Sequence, residues 1–202
     1  MPKQFLFLYP ISDYFQTLIG WEISGFKEYT LRRVSDIVDK RYRQERFDVN
    51  WVFFAGKKAN VPDISIGQKG INIRHSDRKL SSGVRYNVHA GNTVHPNPSY
   101  ILDQLPPHTT LVVAGFHQWN CVDKVASASY KRGINVYVDE DITDTGINRI
   151  LMMRDVPVIR RNQTLESVFS PVMGGPLRES FLSAREGKPW LLQPSSGQPG
   201  YS

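Results

Sequence analysis

The sequence predicts an α/β fold: a single Rossmann-like three-layer domain with a mostly parallel six-stranded sheet. Three observations predict it. Apolar runs of strand length recur along the chain, as strands buried on both faces require. Stretches with apolar residues at helical spacing separate several of them. Gly and Pro then punctuate the alternation in the manner of successive strand–helix units. The domain is expected to span residues 1–170, with 171–202 a C-terminal extension that is flexible at its Pro-, Gly- and Ser-rich end.

The first strand is read at Phe5-Leu6-Phe7-Leu8-Tyr9. It follows a single Lys3 and precedes no small-residue cleavage site, so a strand is expected there instead of a signal peptide. A helix runs to about Arg46, with Leu31, Val34, Val38 and Tyr42 along one face. Val49 to Phe54 is a second buried strand. Ile64 and Ile66 mirror Ile71 and Ile73 across Gly67 to Gly70, which suggests a small hairpin. Val84, Tyr86 and Val88 alternate with other residues and predict the third strand. A short helix is expected from Pro98 to Leu105, stopped by Pro106-Pro107.

Thr109 to Gly115 is the plainest strand of the chain and belongs near the centre of the sheet. In the helix after it, Val122, Val125, Ala126, Ser129 and Tyr130 form the apolar stripe. Asn120 is its expected cap and Gly133 its left-handed stop. Ile134 to Val138 is the next strand. A short helix around Ile147, Ile150 and Leu151 and a last strand at Val156 to Ile159 complete the order. Asp139-Glu140-Asp141 reads as a solvated acidic turn.

Composition narrows the function classes. Apolar residues make up 40% of the 202 and charged residues 22%, values of an ordinary globular protein. No apolar run approaches the ~20 residues that span a bilayer, so no membrane partner is expected. One cysteine forms no internal disulfide, which points to the reducing cytoplasm. The net charge of +6 comes with no aromatic-interleaved basic motif, and the basic run from Arg32 to Arg46 also carries Asp36, Asp39 and Glu45. Nucleic-acid binding is therefore not expected. The loop after the first strand holds no Gly-x-Gly-x-x-Gly, so no dinucleotide and no other cofactor is expected. The five histidines show no metal-pair spacing, and no metal is expected either.

The chemistry concentrates at Cys121. It follows the end of a central strand and opens a helix, where unpaired N–H groups favour a thiolate. A solvent-reachable thiol with a lowered pKa is the expectation; a small buried apolar cysteine is the alternative. The segment from Leu111 to Val122 places five residues between Gly115 and the Cys121-Val122 pair. A helix follows, then a strand running into Asp139. This segment resembles the isochorismatase-like cysteine hydrolases, which include the nicotinamidases and related amidases. The element order over about residues 3 to 170 agrees.

The resemblance implies a thiolate attacking an amide or similar carbonyl, with an aspartate as base and a lysine beside it. His117, Gln118 and Asn120 would then line the pocket or the oxyanion site. It also implies a homo-oligomer and a small-molecule ligand. Two family parts are missing from their places. The first strand ends in Tyr9-Pro10, with Asp13 the nearest carboxylate, and no lysine lies between Lys79 and Lys124. Arg85, His89 and His95 are the ionisable groups near the missing lysine. The family's metal ligands, an aspartate and two histidines, would fall in a region that offers only Asp63, His75 and Asp77. Three readings stay open. The chain is a divergent hydrolase using Cys121, Asp13 and His95, a relative that has exchanged hydrolysis for binding, assembly or regulation, or another Rossmann-like domain.

Overall fold

A computed structural model describes residues 2–10, 34–57, 71–85, 94–116, 118–143, 183 and 185–191. Their strands form one five-stranded sheet in the order β3-β2-β1-β4-β5, every neighbouring pair parallel. The strands are β1 (Lys3–Leu8), β2 (Phe47–Gly56), β3 (Arg78–Gly83), β4 (Thr110–Gly115) and β5 (Asn135–Thr143). The sixth strand expected at Val156 to Ile159, and the helix around Ile147 to Leu151, lie outside the described residues.

β1 lies at the centre, with Phe5 opposite Val49 on one side and Val112 on the other. Phe5 to Leu8 and Leu111 to Ala114 are all at 0% exposure, as their unbroken apolar runs demand. The register places Gln4, Leu6 and Leu8 on one face beside Leu111, Val113 and Gly115. Connections from β1 out to β2 and from β4 out to β5 travel in opposite directions. Right-handed crossovers therefore set their helices on opposite faces.

One face carries a π-helical stretch, Val38–Arg43, that continues the helical residues 34–37. Val34, Val38 and Tyr42 are buried there, and the Tyr42 ring stacks on Phe5 at 4.0 Å. Leu31, the fourth residue of that stripe, lies outside the described residues. The other face carries α1 (Pro98–Leu102) and α2 (Asp123–Lys131), which pack on each other. Asn97 caps α1 through its side chain, and Pro98 sits where a missing N–H does no harm. Gly133, at φ 75, ends α2 as its position suggested.

The third strand is Arg78–Gly83, ahead of the alternation expected from Val84. Leu80 is its one large apolar residue, so its stability rests on polar partners. The Ser81 hydroxyl donates to the Ala55 carbonyl at 2.5 Å. Gln104 accepts from the Ser81 N–H at 3.0 Å and donates to its carbonyl at 2.7 Å, which satisfies the edge of the described sheet much as another strand would. Tyr86 and Val88 lie outside the described residues. Ile71 and Ile73 are not in strands, and Ile64 and Ile66 of the expected hairpin lie outside the described residues.

The acidic residues of β5 are a second correction. Asp139 and Glu140 are buried, because neighbouring strand residues point to opposite faces and each meets an arginine. Asp139 accepts from Arg41 at 2.7 Å and from the Tyr42 hydroxyl, while Glu140 pairs with Arg185. Trp190 and Leu191, late in the C-terminal extension, belong to the main core. The Trp190 carbonyl accepts from the Val138 N–H at 2.9 Å.

Candidate functional site

Parallel sheets of this kind place ligands beyond the carboxyl ends of their strands, at the point where the strand order reverses. Here that point lies between β1 and β4, whose ends are Leu8 and Gly115. They approach closely: the Phe116 N–H donates to the Leu8 carbonyl at 3.3 Å. Gly115 adopts φ 111, and a Cβ there would overlap the Leu8 backbone. Only glycine fits this crossing. It turns the chain from β4 into the helix that carries Cys121.

The helix begins earlier than its sequence signals indicate. Gln118–Val122 forms a π-helical turn that continues directly into α2. Asn120 is half-buried inside that turn and does not serve as a cap, and Val122 at the α2 start has helical dihedrals. Cys121 sits within the π turn, a wider coil that recurs at functional sites.

Cys121 is buried, at 6% exposure, where a solvent-reachable thiol was expected. Its pKa is raised, not lowered. Burial is the main cause, since a thiolate loses its hydration there; the neighbouring Tyr9 side chain and the charge of Lys124 act in the opposite direction without winning. The helix-start effect is thus outweighed by desolvation.

Tyr9 occupies the end of β1, where the resemblance calls for an aspartate. Its backbone has φ 61, a conformation uncommon for a bulky residue, and its ring stacks on Phe54 at 4.3 Å. Pro10 behind it is buried. Tyr9 and Lys124 are the two groups that sequence reasoning missed. Tyr9 was legible as the last residue of the first strand; Lys124 was legible as the residue one turn along from Cys121.

Of the other candidates, Asp13 and His117 lie outside the described residues, as does His89. Gln118 and Asn120 share the π turn with Cys121. His95 is exposed, two residues ahead of the Asn97 cap, in surroundings unlike those of the buried thiol. Asp63 is not described and His75 is exposed. The Asp77 carboxylate accepts from Trp51 Nε1 at 2.9 Å, from the Arg74 N–H at 2.9 Å and from Arg43. Those bonds occupy it as a structural acceptor.

No family model matches the chain, and no curated protein does. Among solved structures, the chain is similar to an isochorismatase-like hydrolase from Alkaliphilus metalliredigens, at 14% identity and a TM-score of 0.43 over 78% of this chain and 95% of that one. The likeness is to isochorismatase-like hydrolases and amidases. A second is a pyrazinamidase of Pyrococcus horikoshii solved in complex with zinc, at 10% identity and TM-score 0.45, covering 75% of this chain and 93% of that one. A third is a nicotinamidase/pyrazinamidase of Bacillus subtilis, at 12% identity and TM-score 0.41, covering 72% and 88%. Their chemistry does not transfer to this chain at such identities. The parallel order β3-β2-β1-β4-β5 stands on this chain's own hydrogen bonding. Among the described residues, no helix is long and apolar enough to cross a membrane.

Proposed function

We propose that this chain is an isochorismatase-like domain that has given up amide hydrolysis and works as a binding, assembly or regulatory module. The observation that carries the reading is that Cys121 is buried, with Tyr9 and not a carboxylate following the end of β1, in surroundings that raise the thiol pKa. Nucleophilic attack needs the thiolate. A carboxylate at the end of β1 would serve as base for the thiol proton, and a phenol hydroxyl in that place does not. Lys124 is exposed, so solvent screens much of its influence on the sulfur. A small carbonyl compound remains the ligand class suggested by the Gly115-to-Cys121 segment, with self-association as the companion role.

The competing reading is a divergent hydrolase in which Asp13 and His95 serve Cys121. One set of assays separates the two. Purified protein incubated with nicotinamide, pyrazinamide and a panel of small amides is expected to show no release of ammonia that Cys121→Ala abolishes. Brisk turnover lost in both Cys121→Ala and Asp13→Asn overturns the proposal and establishes the hydrolase.

A further inference from the structure

The carboxyl ends of β2 and β3 meet at two glycines, Gly56 and Gly83, which are partners in the parallel register. Each glycine leaves room for a basic side chain that belongs to the other strand's continuation. A Cβ at Gly83 would come within 3.4 Å of the Lys57 Cγ and 2.9 Å of the Tyr100 ring. A Cβ at Gly56 would come within 3.4 Å of the Arg85 Cγ and 3.8 Å of its Nε. Lys57, which follows β2, thus reaches over the end of β3, and Arg85, two residues past β3, reaches back over the end of β2. Tyr100 of α1 holds the first of these arms. Its hydroxyl donates to the Lys57 carbonyl at 3.1 Å, and its ring centroid lies 5.6 Å from the Lys57 Nζ.

Both cations are exposed, and among the described residues neither forms an ion pair. The acids of β5 and of the α2 start are engaged elsewhere: Asp139 with Arg41, Glu140 with Arg185 and Asp123 with Lys188. The crossed arms therefore gather two like charges over one pair of strand ends, which costs free energy unless an anion joins them. They do so on the carboxyl edge of a parallel sheet, where such folds take their ligands. Strand spacing sets β2 two strands, or roughly 10 Å, from the β4 end that leads to Cys121. We propose that Lys57 and Arg85 form a subsite for a doubly charged oxyanion of the phosphate-monoester class. Two unit charges match a dianion, the Arg85 fork suits two of its oxygens, and the Lys57 ammonium serves as a point charge for a third. This goes beyond the proposed function and does not depend on it, since the subsite is defined by binding alone.

Titration calorimetry of the full chain with methyl phosphate, at constant ionic strength, tests the assignment. Binding of one methyl phosphate is expected, with acetate, a single charge on a carboxylate, bound at least severalfold more weakly. Lys57→Ala and Arg85→Ala are each expected to weaken methyl phosphate about fivefold, and the double variant about twentyfold or more. Both side chains are exposed, so these variants are expected to melt like the parent. Lys131→Ala, which removes the same charge at the far end of α2, is expected to leave the affinity unchanged. The proposal is overturned if methyl phosphate does not bind, or if it binds equally well to the parent and the double variant. A loss in Lys131→Ala as large as in Lys57→Ala also overturns it, since net charge alone would then explain the binding. Acetate bound as tightly as methyl phosphate rules out the phosphate class.

Discussion

Arg185 and Glu140 form a two-fold hydrogen-bonded ion pair across 45 residues of sequence, inside the protein. A buried pair of this kind contributes little net stability against apolar replacements, yet removing one partner leaves a charge in a low-dielectric interior. Glu140→Gln is therefore expected to destabilise the protein by about 3 kcal/mol, measured by urea denaturation. A change within about 0.5 kcal/mol would mean that water reaches the pair.

The raised pKa of Cys121 has a sign in stability. The folded protein holds the thiol proton to a higher pH than the unfolded chain, so above the ordinary thiol range near 8.5 the unfolded state binds fewer protons. The stabilisation is fully present below that pH and is lost as pH rises through the folded pKa. Melting temperature is expected to fall across this alkaline window more steeply in the parent than in Cys121→Ala. Parallel profiles for the two proteins would contradict the shift.

Tyr9→Phe keeps the ring stacked on Phe54 and removes only the hydroxyl that favours the thiolate. The midpoint of alkylation rate against pH is expected to move upward, and Lys124→Ala should move it in the same direction by less. A midpoint that falls in Tyr9→Phe would show that the phenol does not stabilise the thiolate.

Two glycines separate local strain from steric exclusion. At Gly133 a Cβ meets nothing within 4 Å, so Gly133→Ala costs only the left-handed backbone, about 1 kcal/mol. At Gly115 the same atom overlaps Leu8, so Gly115→Ala must part β1 from β4 or shift both. Thermal denaturation is expected to show a loss of a few degrees at Gly133, and failure to fold or a loss several times larger at Gly115. Comparable losses would mean that the strand ends yield freely.

β1, β2 and β4 were legible in the chain alone, because strands buried on both faces are apolar at nearly every position, a signal carried by a few adjacent residues. The start of α1 at Pro98 and the end of α2 at Gly133 were legible too, since helix ends are decided within one turn, although α1 stops at Leu102, short of the expected Leu105. The position of Cys121 just past the carboxyl end of an interior strand was legible for the same reason. Only the tertiary structure decided what surrounds that sulfur. Tyr9 comes from a separate segment, and the desolvation that raises the thiol pKa depends on every neighbour at once. β3 was missed because Arg78 to Gly83 is sustained by Ser81, Ala55 and Gln104 and not by apolar alternation. Asp139 and Glu140 looked like a solvated turn because their arginines, Arg41 and Arg185, lie 98 and 45 residues away. Residues 185–191 carried no strong local pattern, and what binds them to the core is charge and one tryptophan meeting partners that only the fold brings near.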